Sequence, residues 1–268
     1  MITDPEAVGK LIREVTAAEI LPRFRNLTAD EISKKSAGDV VTVADIAAEA
    51  ALAAGLSEIM PGAHIVGEEA AENSPESLNV LAGDDPVWII DPVDGTQNFA
   101  DGKDCFAVIV AWVEGGLTTA GWIYEPVSDA MVWAGKGRGT WIDGKQVKYA
   151  DAGPINTLRG SLKDHIAERM RRKHGADKSN LPVDIVRYRC VGAEYADLAR
   201  CNLHFARYGG RLKPWDHAAG VLIHDEAGGF SAVCETQKPY QVTPDLEQQT
   251  LLMAPSDDSW RQLNNLLA

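Results

Sequence analysis

The sequence predicts an α/β (α+β) fold in two lobes, and three patterns carry that prediction. Apolar residues recur at helical spacing near the N-terminus. Short apolar runs ending in carboxylates follow, too short for helices and bounded by turn residues. From Phe106 onward, strand-like segments alternate with glycine-rich turns. A chain of 268 residues can bury a large core, as one domain or as two fused lobes.

After Asp4-Pro5, residues Val8, Leu11, Ile12, Val15 and Ile20 fall at helical spacing; Asp4 suits the cap and Pro5 the first turn. An alanine-rich stretch from Val43 to Ile59 predicts a second helix, stopped before Pro61-Gly62, with Asp45 in its first turn. His64–Gly67 and Val87–Ile90 suit short buried strands, and their ends deliver Glu68 and Asp91. Phe106–Val113, Thr118–Tyr124, Ala130–Ala134 and Gly139–Ile142 then form an antiparallel meander, broken by Gly115-Gly116, Glu125-Pro126 and Gly135–Gly137. Asp164–Lys178 reads as a basic, solvated helix. Strands near Ile185–Arg189 and His204–Arg207 bracket a helix at Glu194–Arg200. A further helix opens at Asp216, runs through Ala227 and closes at Gly228-Gly229. No repeat or long linker divides the chain. The expected lobes are residues 1–150 and 151–268, with an active site in the cleft between them.

The 39 acidic and 26 basic side chains leave a net charge of −13, which argues against a nucleic-acid partner. It does not argue for metal, because most acids are simply solvated. No apolar run reaches the length of a membrane span, and Met1-Ile2-Thr3-Asp4-Pro5 lacks a signal-peptide pattern. A cytoplasmic protein without a membrane partner is expected. Cys105, Cys190, Cys201 and Cys234 form no CxxC pair and are expected as reduced, packed thiols.

The most informative run is Trp88-Ile89-Ile90-Asp91-Pro92-Val93-Asp94-Gly95-Thr96-Gln97-Asn98-Phe99. Two carboxylates stand three positions apart where a strand ends. Pro92 restricts the turn, and Gly95 allows backbone to approach a ligand closely. Free N–H groups at the helix start that follows attract anions. Oxygen ligands held this way suit a hard cation such as Mg²⁺, commonly shared with a substrate phosphate.

This run resembles the DP-(I/L/V)-DGT-x-NF signature of the inositol monophosphatase family. Three other segments match in the family's order. Gly67-Glu68-Glu69 lies upstream, Asp39-Val40-Val41-Thr42-Val43-Ala44-Asp45 nearer the N-terminus, and Trp215-Asp216-His217-Ala218-Ala219-Gly220 downstream, followed by Glu226-Ala227-Gly228-Gly229. A lone DxxD is weak; four ordered segments are specific.

The resemblance implies a layered α-β-α-β-α sandwich of the inositol monophosphatase / fructose-1,6-bisphosphatase type and a homodimer. It also implies a metal-dependent phosphoric monoester hydrolase using two or three Mg²⁺ ions. Glu68, Asp91, Asp94, Asp216 and the Val93 carbonyl take the metal-ligand positions, and Glu68 counts among the catalytic groups. Asp45 and Thr96 resemble the pair that prepares the nucleophilic water for direct attack on phosphorus. Backbone N–H groups of Gly95 and Thr96 cradle the phosphate. Read singly, each acid is a cap or a solvated charge, Thr96 a helix cap and Asp45 a first-turn acid; the ordered set favours the site. Glu69 stands between tuning a metal position and simple solvation. Lys34 or Lys35 is a candidate for added positive charge, against the plainer reading of a surface lysine. His64, His217 and His224 are expected to be structural.

The second lobe departs from the pattern. Where the archetype has a glutamate seven residues before the WD aspartate, this chain has Gly209, flanked by Arg207, Arg211 and Lys213. Glu194 stands where small residues are usual in Arg187–Tyr195. Glu194 and Arg211 are therefore the candidate substrate-binding residues, against structural roles as a cap and a surface charge. The expected substrate is a small polyol or sugar-type phosphate resembling an inositol phosphate. Histidinol phosphate, fructose 1,6-bisphosphate and adenosine 3′,5′-bisphosphate are the alternatives. A protein-binding, transcription-associated factor with vestigial phosphatase activity is the reading from another class.

Overall fold

The computed structural model describes residues 4–36, 39–149, 153–175 and 181–268, except for the side chains of 35, 36 and 39. The expected lobe boundary at 150/151 and the end of the basic helix at Lys178 lie outside the described residues. Helix α1 (Pro5–Val15) opens where Asp4 accepts the N–H groups of Glu6 and Ala7, with Pro5 in the first turn. A π-helical turn, Thr16–Ile20, extends it, so Ile20 stays on the buried face. A two-stranded hairpin, β1 (Ile32–Ser36) and β2 (Asp39–Thr42), leads into α2 (Val43–Ile59). Thr42 and Asp45 cap α2 reciprocally, which fixes Asp45 at its start.

Strand β3 (His64–Gly67) feeds α3 (Glu68–Asn73), and β4 (Val87–Asp94) feeds the short α4 (Thr96–Ala100). The meander follows as β5 (Ala107–Glu114), β6 (Leu117–Glu125), β7 (Ala130–Gly135), β8 (Gly139–Ile142) and β9 (Lys145–Val147). Together β3 to β9 make one seven-stranded sheet in sequence order, with β3–β4 parallel and the remaining pairs antiparallel.

A second sheet of five strands takes the order β11-β10-β12-β14-β13. Its members are β10 (Arg159–Ser161), β11 (Asp184–Val186), β12 (Phe205–Arg211), β13 (Phe230–Val233) and β14 (Gln248–Ala254). Helices α5 (Asp164–His174), α6 (Val191–Ala199), α7 (Pro214–Glu226) and α8 (Asp257–Leu267) complete the chain.

Three apolar clusters define five layers. The first packs α1 and α2, through Ile12, Leu52 and Leu56, on Trp88, Trp112 and Trp122 of the seven-stranded sheet. The second buries α6 and α7 between the two sheets. The third packs α5 and α8 on the outer face of the five-stranded sheet. The result is an α-β-α-β-α sandwich. Small residues allow the central layers to touch: a Cβ on Gly121 would stand 2.7 Å from the Ala219 Cα of α7. That contact brings the start of α7, with Asp216, toward the end of β4.

Candidate active site

Strand β4 is buried along its whole length, and it ends at the site. Its pairing with β5 is interrupted between Asp91 and Asp94, so the chain leaves the ladder there. Gly95 has φ +84°, the left-handed region that glycine enters without a Cβ penalty, and turns the chain into α4. Space there is tight as well: a Cβ on Gly95 would meet the Cys105 carbonyl and Cys190 Cβ at 3.1 Å.

A cavity of about 490 Å³ opens at this turn, lined by Glu68, Asp91, Val93, Asp94, Gly95, Thr96 and Asp216 among others. Burial, then the charges of Glu68, Asp94 and Asp216, push the Asp91 carboxyl well above its ordinary range. Asp94 is raised by burial too, although hydrogen bonds pull it back. Its Oδ2 accepts the Gly192 N–H at 2.6 Å and the Cys190 thiol at 3.0 Å, which ties β4 to the start of α6. Among the described residues, no three His, Cys, Asp or Glu side chains already form a cation-holding group. Lys213 Nζ stands 3.8 Å from Glu68 Oε1 and 2.6 Å from Glu72 Oε1, so part of this charge is balanced internally. The donors are nonetheless hard oxygens, with Asp91 and Asp94 buried and Glu68 and Asp216 partly so, crowded around the raised Asp91, which is the set that a small divalent cation relieves.

Asp45 and Thr96, fifty-one residues apart in the chain, meet here. Asp45 Oδ2 accepts the Thr42 N–H at 2.9 Å and the Thr42 hydroxyl at 2.5 Å. Thr96 Oγ1 is 3.2 Å from Asp45 Oδ1 and 2.9 Å from the Val93 carbonyl. Burial raises the Asp45 pKa to about 6, against the opposing Thr42 hydrogen bonds and with help from Glu69. Glu69 is buried beside this pair, and Glu49 of α2 accepts its N–H and that of Ala70. Glu49 carries no motif signal; only the fold shows that it caps α3.

A model of the inositol monophosphatase family matches residues 6–268. The chain belongs to that family. It is therefore an enzyme of the hydrolase class, with the fold that the resemblance implied. A curated Aquifex aeolicus fructose-1,6-bisphosphatase/inositol-1-monophosphatase is 30% identical over 230 residues, covering 83% of each chain. The Vibrio cholerae Nus factor SuhB is 30% identical over 219 residues, covering 79% of this chain and 78% of its own. A solved Thermotoga maritima IMPase superposes with a TM-score of 0.80 at 22% identity, covering 98% of this chain and 97% of its own.

On the second-sheet side of this inositol monophosphatase family member, Glu194 of α6 reaches the same cavity, and Arg211 at the end of β12 does not. Glu194 is 5% exposed, and its Oε1 accepts the Ser161 hydroxyl at 2.6 Å and the Tyr188 N–H at 3.2 Å. Burial raises its pKa to about 7, against those hydrogen bonds. The Tyr208 hydroxyl lies beside it, near enough to steady its charge but without a well-formed hydrogen bond. Arg211 is exposed at the end of β12, outside the cavity lining. Lys34 is likewise exposed and away from the lining, and the Lys35 side chain lies outside those described.

The cations that do line the cavity are Lys163, Arg187, Arg189, Arg207 and Lys213. The basic segment around Gly209 stands out in the sequence, but which of its members face inward does not. The available signal for Lys213 was its place just before Pro214-Trp215-Asp216. Burial works against its charge, but Glu68, Glu72 and Asp216 outweigh that and raise its pKa. His217 and His224 are buried in the core, where His217 meets the Tyr195 hydroxyl at 3.1 Å and His224 the Tyr149 hydroxyl at 2.6 Å, whereas His64 lies exposed beside Asp85. Burial lowers the pKa values of His217 and His224 to about 3 and about 4. All four cysteines are free thiols, and no described helix is long and apolar enough to cross a membrane.

Proposed function

We propose that this enzyme is a Mg²⁺-dependent phosphomonoesterase acting on a small polyol or sugar-type phosphate. The observation that carries the reading is the buried Asp91, surrounded by the charges of Glu68, Asp94 and Asp216 in one cavity. Those four carboxylates and the Val93 carbonyl are the groups that would hold Mg²⁺, in two or three ions. When bound, the metal neutralises phosphoryl charge, stabilises the leaving oxygen and lowers the pKa of water.

The chain's own residues orient and move the proton. Thr96 has one hydroxyl hydrogen and two acceptors, Asp45 and Val93. Directed at Asp45 Oδ1, it leaves the Thr96 oxygen free to accept from the attacking water. Asp45 is held rigid by Thr42 and, with a pKa of about 6, is a base matched to neutral pH. Attack is direct and in line, without a phosphoenzyme. Gly95 and Thr96 offer backbone N–H groups to the phosphate, and Glu194 accepts from substrate hydroxyls. Two lobes, 1–150 with most ligands and 151–268 with Asp216 and Glu194, close on the substrate, as a homodimer in the cytoplasm.

Phosphate release is the test, run on inositol 1-phosphate, histidinol phosphate, fructose 1,6-bisphosphate and adenosine 3′,5′-bisphosphate, with Mg²⁺ and with chelator. Efficient release of phosphate from at least one ester, only with metal, supports the reading. The Nus factor relatives favour one other reading, a protein-binding role. Folded protein that releases nothing with Mg²⁺ would put that role first.

A further inference from the structure

Resting on the phosphomonoesterase reading, we propose that Asn98 is a positioning residue of the active site. Its side-chain amide holds Arg189 in a left-handed turn, and that turn keeps the Cys190 thiol and the Gly192 N–H on the carboxylate of Asp94. Asn98 stands in the most informative run of the sequence, just past the Gly95 turn, yet no step of the hydrolysis uses it.

Asn98 lies in α4 and is 4% exposed. Three carbonyls converge on its Nδ2, those of Cys105 at 2.8 Å, Tyr188 at 2.9 Å and Arg189 at 3.4 Å. The amide has two N–H donors, so the two short contacts use both and the third is shared. The Cys105 carbonyl belongs to the chain entering β5, and the other two to the chain between β11 and α6. One buried side chain thus ties the two walls of the cavity together, and a buried amide is costly to leave unpaired.

These bonds restrain a backbone that would not rest there unaided. Arg189 has φ +58°, in the left-handed region that penalises a residue with a Cβ and that glycine and asparagine enter most readily. Its own carbonyl and the one before it are the two that Asn98 grips. The next residue, Cys190, is extended and caps α6, and Gly192 follows in the first turn of that helix. There a backbone N–H has no helical partner; Asp94 Oδ2 accepts it at 2.6 Å and the Cys190 thiol at 3.0 Å. The same groups enclose the phosphate turn. A Cβ on Gly95 would meet the Cys105 carbonyl and Cys190 Cβ at 3.1 Å and the Arg189 carbonyl at 3.4 Å. Relaxing Arg189 would therefore release Asp94 and loosen the wall around Gly95 together.

The test has two readouts: steady-state kinetics with Mg²⁺ on the best ester of the panel, and hydrogen exchange of the Gly192 amide, followed by NMR in chelator. Asn98→Ala should lower kcat and speed that exchange by about tenfold or more, with KM changed less than about threefold. In Arg189→Gly protein, which takes the left-handed turn unaided, the same substitution should cost less than about threefold. In Arg189→Ala protein, which equally lacks the guanidinium, it should cost the full amount. With Asn98 intact, both readouts should worsen in the order Arg189→Gly, Arg189→Asn, Arg189→Ala, Arg189→Val, over about tenfold, following tolerance of a left-handed backbone. This series decides the matter if Asn98→Ala gives no cooperative thermal melt. Equal losses in the glycine and alanine backgrounds, or a flat series, would overturn the proposal and leave Asn98 a packing residue. If wild type releases no phosphate, the phosphomonoesterase reading falls. The exchange of Gly192, which needs neither metal nor ester, still decides whether Asn98 acts on Asp94 through Arg189.

Discussion

The two walls of the cavity are built differently. On the first-sheet side, Asp91 and Asp94 sit at the end of a strand buried along its length, and Asp45 is fixed by a capping box. On the second-sheet side, Lys163, Arg187 and Arg189 are long, exposed side chains around one buried carboxylate, Glu194. Short side chains on rigid backbone hold geometry to fractions of an ångström; long exposed ones select by charge and are easily exchanged. On the proposed function, the difference assigns the hydrolytic chemistry mainly to the first wall, with Asp216 added from α7, and the choice of substrate to the second.

Substitutions sharpen that contrast. Asp91→Asn should have the largest effect, lowering kcat by about a thousandfold or more while leaving the fold intact. Because the folded state raises the Asp91 pKa, neutralising it removes repulsion; thermal melting in chelator should show an equal or higher Tm. A lower Tm would mean that Asp91 serves the fold. Thr96→Ala should cost about a hundredfold in kcat with little change in KM, measured by steady-state kinetics. Comparable losses in both would make Thr96 a binding group and weaken the contrast between the walls.

Glu194→Gln, on the second wall, should instead raise KM by about three- to tenfold on the best substrate, with a smaller change in kcat. The same variant carries a stability signature. The folded state raises this carboxyl from 4.5 to about 7, so it binds its proton more tightly than the unfolded chain. Its contribution is fully present below the unfolded pKa and is lost as pH rises through the folded one. Apo wild type should therefore lose roughly 2–3 kcal/mol more than Glu194→Gln between pH 4.5 and about 7, in denaturant melts. Parallel pH curves would contradict this. The smallest effect belongs to Lys213→Ala, which removes the ammonium beside Glu68 and Glu72. Mg²⁺ should then bind about two- to fivefold more tightly by calorimetric titration, because a competing cation is gone.

The first wall was far more legible in the sequence than the second. Strand β4, the Gly95 turn and the α2 cap follow from local rules: an apolar run, a positive-φ glycine, and Thr and Asp three apart. The outer helices also met their expected bounds, α2 from Val43 to Ile59 and α1 from Pro5. The meander likewise fell within a residue or two of expectation and gained only β9. Helix α6 began at Val191, three residues before the expected Glu194, since its cap is the Cys190 thiol on Ala193 N–H, a weak signal. Strands β10, β13 and β14 and helix α8 were not anticipated. β10 is three residues long, and all three strands take their stability from neighbours distant in the chain. The inward cations failed to stand out for a related reason. Arg207 and Arg211 share a strand and a residue type, and only the point where β10 ends distinguishes the cavity from solvent.

Phosphate release against Mg²⁺ concentration, with wild type and Asp91→Asn side by side on the best ester of the panel, tests the division of labour most directly. Saturable, chelator-sensitive release by wild type and its loss in Asp91→Asn, with ester binding retained, is the expected result. Release that ignores Mg²⁺, or persists at wild-type rate in Asp91→Asn, would contradict the assignment of the chemistry to the first wall.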